Sequence, residues 1–453
     1  MLYCKYKQKI KKENTMKRLL SLFLLVSICL SLAACSASPE KFAVASAKEK
    51  TETTYKDAQN EDYIAFLEKL DKFSSKLTYG VYSDSDKLSN LCISPLSVYM
   101  ALALACECAD GETRSEILNA LGVSYEEVYT YTKYLYAFSN KEFNYTNLLG
   151  NKKPSAFEEL SNSLWIDKDV QLKKDGIDRL AYDYNCDIFG VSFKDSSASK
   201  AINQYIKDKT HGIIDGDLDI SRETLFTLIN TFYLKEIWNE YGDELKLTDE
   251  KYDFTNVDGS KTRLPLLTGY YSEGNIYKGE GFSSFFTETE HGFKIKFILP
   301  DDNCSIDEVF TEENIYKINN LSDYGYIDEE NKLLHHTRVL FPEYKADFDG
   351  SVTDTLKDDF GIKSLFSMGD CDFSGITDDK VACDGVIHKC ALEVNRKGIE
   401  GAAVTIMPMA GAAGPLVGYT KVYHDLIIDR AFGFVICDRY GAVLFSGVIN
   451  TLK

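Results

Sequence analysis

Two stretches of this 453-residue chain carry residues whose type and spacing could do chemistry. The first is Leu32-Ala33-Ala34-Cys35, which sets a thiol behind small residues at the end of an apolar run. The second is Gly401 to Thr420, twenty residues without a charge in a chain in which 27% are charged. Other reactive arrangements are missing. There is no Gly-x-Ser-x-Gly elbow, no phosphate-binding loop and no Gly-x-Gly-x-x-Gly, so no catalytic residues are assigned and an enzyme is the weakest reading. No Cys-x-x-Cys or His-Glu-x-x-His occurs and the six histidines are scattered, which leaves a metal site without support and calls for no cofactor.

The thiol at Cys35 belongs to an export signal. Lys17 and Arg18 precede an apolar run from Leu19 to Leu32, too short and too firmly ended by small residues to favour a permanent membrane span. Leu-Ala-Ala-Cys resembles the bacterial lipobox, whose cysteine is diacylated and becomes the first mature residue. Residues 1–34 are therefore expected to be a leader, with Met16 as its true start, and Cys35 a lipidation site. The mature protein would sit on the extracellular face of a bacterial cell membrane; the alternative is ordinary secretion. Ser36 to Asn60 is polar and aperiodic and reads, with Cys35, as a tether over 35–60.

From Glu61 one domain is expected to run to residue 453. The chain is 44% hydrophobic, enough for a large core, and its net charge of −19 repels phosphate backbones, so nucleic acid is not a partner. Asp62 to Tyr79 carries Ile64, Phe66, Leu67, Leu70, Phe73 and Leu77 near helical spacing. Ser94-Pro95 has the grammar of a helix start, and the nearly all-apolar Val98 to Ala109 predicts a central, buried helix. Phe293–Leu299, Thr337–Phe341, Phe432–Cys437 and Ala442–Phe445 read as strands, the last two as a buried hairpin. Helices lie mostly in the first half and strands in the second, an α+β pattern. Nine mature cysteines cannot all pair and sit in apolar surroundings, so they read as small buried hydrophobes.

The uncharged run is the anomaly. A buried central strand is the ordinary explanation, but Pro408, Pro415 and glycines 401, 411, 414 and 418 oppose it. What remains is an exposed, extended loop, a hazard unless function requires it.

Five motifs in order resemble the serpin family over residues 61–453. They are Asn90 to Ser97 with its Ser94-Pro95-Leu96-Ser97 core; Ala109-Asp110-Gly111-Glu112-Thr113; Asn230 to Trp238, similar to Asn…Phe-Lys-Gly-x-Trp; Glu393 to Thr405, similar to a small-residue hinge; and Val443 to Asn450. The resemblance implies the serpin fold, helices packed around three β-sheets with an exposed C-terminal reactive-centre loop. It implies a protease inhibitor that acts as a suicide substrate: a serine or cysteine protease acylates the loop, which then inserts into the main sheet and traps the enzyme in a covalent 1:1 complex. A monomer is expected. The alternative is a non-inhibitory serpin serving as a surface scaffold or binding lipoprotein.

By the same resemblance Gly398, Ile399, Glu400, Gly401, Ala402, Ala403, Val404 and Thr405 form the hinge. Counting from Gly398, alternate residues Ile399, Gly401, Ala403 and Thr405 would face inward and carry no charge, as insertion requires, whereas Glu400 would face solvent. Ser94, Ser97, Asn230 and His388 match the polar gate beneath the sheet opening, and Trp238 would sit where the loop first enters. The family's usual ion pair at the loop's base is reversed in sign here, as Arg396 and Glu343. Fourteen residues beyond Gly398 the cleaved bond would be Ala412–Ala413, suited to elastase-like or subtilisin-like proteases with shallow pockets. Met409–Ala410 is the runner-up and Leu416 a distant third.

Overall fold

The computed structural model describes residues 38–47, 55–146, 152–215, 218, 220–238, 245–321, 323–400 and 418–453. Cys35, Gly401 to Thr405, Met409, Ala410, Ala412, Ala413 and Leu416 lie outside them.

Helix α1 (Glu61–Ser83) is capped by Asn60, whose side chain accepts from the Asp62 N–H at 2.8 Å. Phe66, Leu67, Leu70, Phe73 and Leu77 are buried along one stripe, while Ile64, expected to share it, faces solvent. Helix α2 (Pro95–Cys108) starts at the Ser94 cap with Pro95 in its first turn and is buried on nearly every side. Such a helix fits only between layers, and α2 packs under the main sheet and against the C-terminal hairpin. A third helix, α3 (Ser196–Lys209), covers the sheet's other face through Ala198, Ile202 and Tyr205, which pack with Trp165 and Phe189.

Three sheets are present among the described residues. The largest contains β1 (Ala43–Ala45), β2 (Lys152–Asp167), β3 (Cys186–Val191) and β4 (Phe226–Ile237). After β5 (Leu333–Phe341), which lies in another sheet, the chain returns to the main one with β6 (Tyr344–Ser351), β7 (Ile387–Asn395) and β8 (Gly398–Glu400). The spatial order is β1-β3-β2-β4-β8-β7-β6, with Asn140–Thr146 paired beside β2. The next strand, β9 (Thr420–Ile427), runs parallel to β5 in the smallest sheet.

The chain ends in the expected hairpin, Phe432–Cys437 against Val443–Ile449, with every residue of the two strands buried. Asp438 closes its turn by accepting from the N–H groups of Tyr440, Gly441 and Ala442 at 2.7–2.9 Å. Nine cysteines among the described residues are free thiols, eight of them buried.

One expectation needs correction. Within the stretch read as a polar tether, Pro39–Phe42 forms a 3₁₀ turn and β1 adds to the edge of the main sheet, with Ala43 opposite Phe189. Phe42 packs against the α3 cluster, and the Ala47 N–H donates to Asp187 Oδ1 at 3.0 Å. The unpaired edge of β3 supplies hydrogen-bonding partners that aperiodic polar sequence does not advertise. Tyr55–Ala58 is helical as well.

Candidate functional site

The site is built where β7 turns back on itself. After Asn395, Arg396 and Lys397 form a tight connection, and β8 runs antiparallel to β7 with Asn395 opposite Gly398 and Val394 opposite Ile399. Its other edge pairs with β4, placing Gly398 opposite Ile237 and Ile399 opposite Glu236. Glycine is required at 398, because a Cβ there would lie 1.7 Å from the Glu236 carbonyl oxygen. Ile399 is 1% exposed, so its side chain points into the core. Glu400 completes the strand opposite Lys235.

Three residues of β8 occupy only the top of the space between β4 and β7. Below them the two strands make no direct pairing among the described residues, and a cavity of about 450 Å³ opens between them. It extends from Ile206 on α3 to Ser94 and Ser97 at the start of α2, and Asn230 and Cys390 line its walls.

Four residues singled out from sequence gather here. His388 Nε2 accepts the Ser94 backbone N–H at 3.0 Å, and burial pushes the imidazole pKa down to about 4, keeping it a neutral acceptor. Asn230 donates to Asn162 Oδ1 at 2.7 Å, but its own Oδ1 is buried without a hydrogen-bond partner, as is the neighbouring Thr231 hydroxyl. The Ser97 N–H lies 3.4 Å from Ser94 Oγ. Ser94 and His388 are thus bonded directly, while Ser97 and Asn230 share the cavity without bonding to either His388 or each other. Unpaired polar atoms are costly when buried.

Trp238 is buried at the top of β4, where its indole N–H donates to the Asn395 carbonyl at 2.7 Å and its ring meets Phe341 edge-on. It ties the end of β4 to the end of β7 across the hinge. Outside that corner, Arg396 donates to Glu343 through both its backbone N–H and its guanidinium.

Known proteins share this arrangement of sheets and helices. The family model described as Serpin (serine protease inhibitor) matches residues 68–451. The chain belongs to the serpin family. This serpin is similar to Iripin-1 of Ixodes ricinus, 27% identical over 413 residues that cover 87% of this chain and 96% of that one. The solved native state of Tengpin, a thermophilic serpin, is 26% identical with a TM-score of 0.63, covering 90% of this chain and 97% of Tengpin. Human thyroxine-binding globulin, solved in complex with its ligand, shares the fold at 20% identity and a TM-score of 0.65, covering 85% of this chain and 98% of that one.

The sequence reading passed over Glu236. In this serpin it replaces the glycine of the Lys-Gly-x-Trp pattern and stands directly opposite Ile399. Its carboxyl is buried, with Oε1 accepting the Ile237 N–H at 2.8 Å and lying 3.0 Å from His291 Nδ1, and the other oxygen without a hydrogen-bond partner. Burial, assisted by the nearby Glu158 charge, raises the Glu236 pKa well above the usual range, while burial and then Arg439 push His291 down to about 3. Both directions favour a protonated carboxyl against a neutral imidazole, a hydrogen bond rather than an ion pair. The signal was legible as a charged residue in a position the family fills with glycine.

Proposed function

We propose that this serpin inhibits a serine protease, or a cysteine protease of similar specificity, as a suicide substrate. The observation that carries this reading is the position of β8: the hinge is already threaded between β4 and β7, above a gap whose lining includes Ser94, Ser97 and Asn230 beside apolar side chains such as Ile206 and Leu228. In the reaction the protease's nucleophile attacks the Ala412 carbonyl carbon, the Ala412–Ala413 C–N bond breaks, and the amine of Ala413 leaves with the proton supplied by the protease. The acylated strand then extends β8 downwards. Fifteen inserted residues at ~3.3 Å each carry the acyl-enzyme on the order of 50 Å along the sheet. Small residues at the bond suit elastase-like or subtilisin-like enzymes.

The test is to mix the purified protein with pancreatic elastase or subtilisin at equimolar ratio. A complex that survives boiling in detergent is expected, and the mass of the released C-terminal fragment distinguishes cleavage after Ala412 from cleavage after Met409. Cleavage without a complex would overturn inhibition and favour a non-inhibitory scaffold or binding protein.

We also propose that Cys35 is diacylated and anchors the protein on the outer face of a bacterial membrane, a reading supported by the apolar run and Leu-Ala-Ala-Cys alone. Two acyl chains give a stable anchor at roughly 0.8 kcal/mol per buried CH₂. Cys35→Ala should release the protein into the medium or leave its precursor unprocessed; unchanged membrane retention would count against the anchor.

A further inference from the structure

Three of the six histidines, scattered in the sequence, meet at the seam between β5 and β9. His335 Nδ1 lies 2.8 Å from His424 Nε2, with the rings nearly parallel at 5.1 Å between centroids. On the sheet's opposite face His336 stacks on Tyr423, beside Arg338 paired bidentately with Asp425. Tyr271 donates its hydroxyl to the same carboxylate.

The position matters more than the cluster. β9 is the segment that receives the chain after the uncharged run, half of its residues are exposed, and in its sheet it pairs with β5 alone among the described residues. β9 is thus the first anchored strand after β8 among the described residues.

We propose that His335 and His424 form a proton-operated clasp that holds β9 in its sheet at neutral pH and releases it on acidification. In the neutral clasp one imidazole donates and the other accepts. A first added proton is still shared across the 2.8 Å contact. A second leaves no acceptor and sets two cations side by side, so the clasped strand retains one proton where the released strand holds two. Each pH unit below the imidazole range therefore shifts the balance toward release by about tenfold. Burial and then the His335 charge hold the His424 pKa below its ordinary value, the direction this requires.

Other charges facing the seam do not change state in that window. Asp328 faces His335 and is held below its ordinary range by its turn hydrogen bonds. Lys421 and Glu273 flank His336, Arg338 is paired with Asp425, and Lys332 with Glu329 closes the start of β9. Carboxylates titrate about two units below imidazole, and lysine and arginine far above it.

The consequence for the inhibitory reading, on which it rests, is that acid loosens the anchor of the segment that follows the proposed reactive bond. The test is hydrogen–deuterium exchange of the full chain, corrected for intrinsic rates. Protection of residues 420–427 should fall about fourfold between pH 6.5 and 5.5 in the wild type, and the fall should vanish in His335→Gln/His424→Gln, whose amides hydrogen-bond without titrating. A wild type with no pH dependence there, or a double variant that follows it, overturns the clasp. If the variant does not fold, imidazole titration by NMR in the wild type decides: one of the two rings must titrate well below the other, and two ordinary titrations overturn the clasp. Failure of the inhibitory reading shows separately, as no complex with elastase at pH 7.5.

Discussion

Arg396 holds Glu343 with two donors, its backbone N–H at 2.9 Å and its Nε at 3.4 Å, both on Oε1. The side chains are 47% and 37% exposed, so the charge–charge part is worth only about 0–1 kcal/mol. Arg396→Glu should nevertheless cost more than the lost attraction, because it sets two acids together at the base of the hinge. Glu343→Lys on top restores the attraction but forfeits the carboxylate that receives the backbone N–H, so rescue will be incomplete. A double-mutant cycle on Tm and polymer formation should show coupling of about 0.5–1 kcal/mol. Strict additivity would mean that the contact does no energetic work.

Ile399 is the described hinge residue whose side chain reaches the core, and a charge there must be buried for the strand to stay threaded. Arginine is an ambiguous probe, since the Glu236 carboxyl opposite could receive it. Ile399→Asp has no such partner and costs several kcal/mol on burial. The variant should be cleaved by elastase at the wild-type rate while the detergent-stable complex falls at least about tenfold, as a barrier rise of only 1.4 kcal/mol already gives. Undiminished complex would show that β8 tolerates an outward 399.

His388 gives the gate a pH dependence whose sign is fixed by its burial. Its imidazole is held neutral down to about 4, whereas in an opened or unfolded chain it takes a proton near 6.5. The non-native state therefore binds the extra proton, and native stability is complete above pH 6.5 and drains away as pH falls toward 4. The loss is bounded by about 3 kcal/mol. His388→Gln keeps an acceptor for the Ser94 N–H and removes the titration. Urea unfolding between pH 7.5 and 4.5 should show a steeper decline in the wild type than in the variant, and parallel declines would remove His388 from the account.

How much of this could be read beforehand differs by residue. Pro95, the nearly all-apolar sequence of α2 and the Ser94 cap predict a buried central helix, because capping and composition are local properties. Arg396 and Glu343 were paired only because a family pattern supplied the contact; 53 residues separate them, and nothing local connects them. β1 went unseen since its partner is an exposed edge of β3, and a strand that short carries no period of its own. The seam histidines were missed for the opposite reason. His335 and His424 lie on strands that run parallel, and parallel pairing brings together residues whose spacing in sequence carries no signal.

Glu236 is the residue whose chemistry the fold most plainly constrains. Its carboxyl stands opposite Ile399, buried, with one oxygen on His291 and the other without a partner. Because burial raises its folded pKa, the native state keeps a proton that the unfolded chain gives up near pH 4.3. Its contribution to stability is complete below that pH and is lost as pH rises, at up to about 1.4 kcal/mol per unit until the folded value is reached. Glu236→Gln cannot ionise, though its amide can donate to His291 only by giving up the Ile237 N–H that Oε1 accepts at 2.8 Å. That loss is independent of pH, so the Tm of the variant relative to the wild type should rise steadily from pH 4 to pH 8. The same buried proton lies beneath the hinge, so the variant should also keep β8 threaded at alkaline pH, read as slower hydrogen exchange at Ile399. A difference that stays flat or falls toward pH 8 would mean that the carboxylate is ionised in the native state and held by His291 and Arg439, and the pair would then be an ion pair after all.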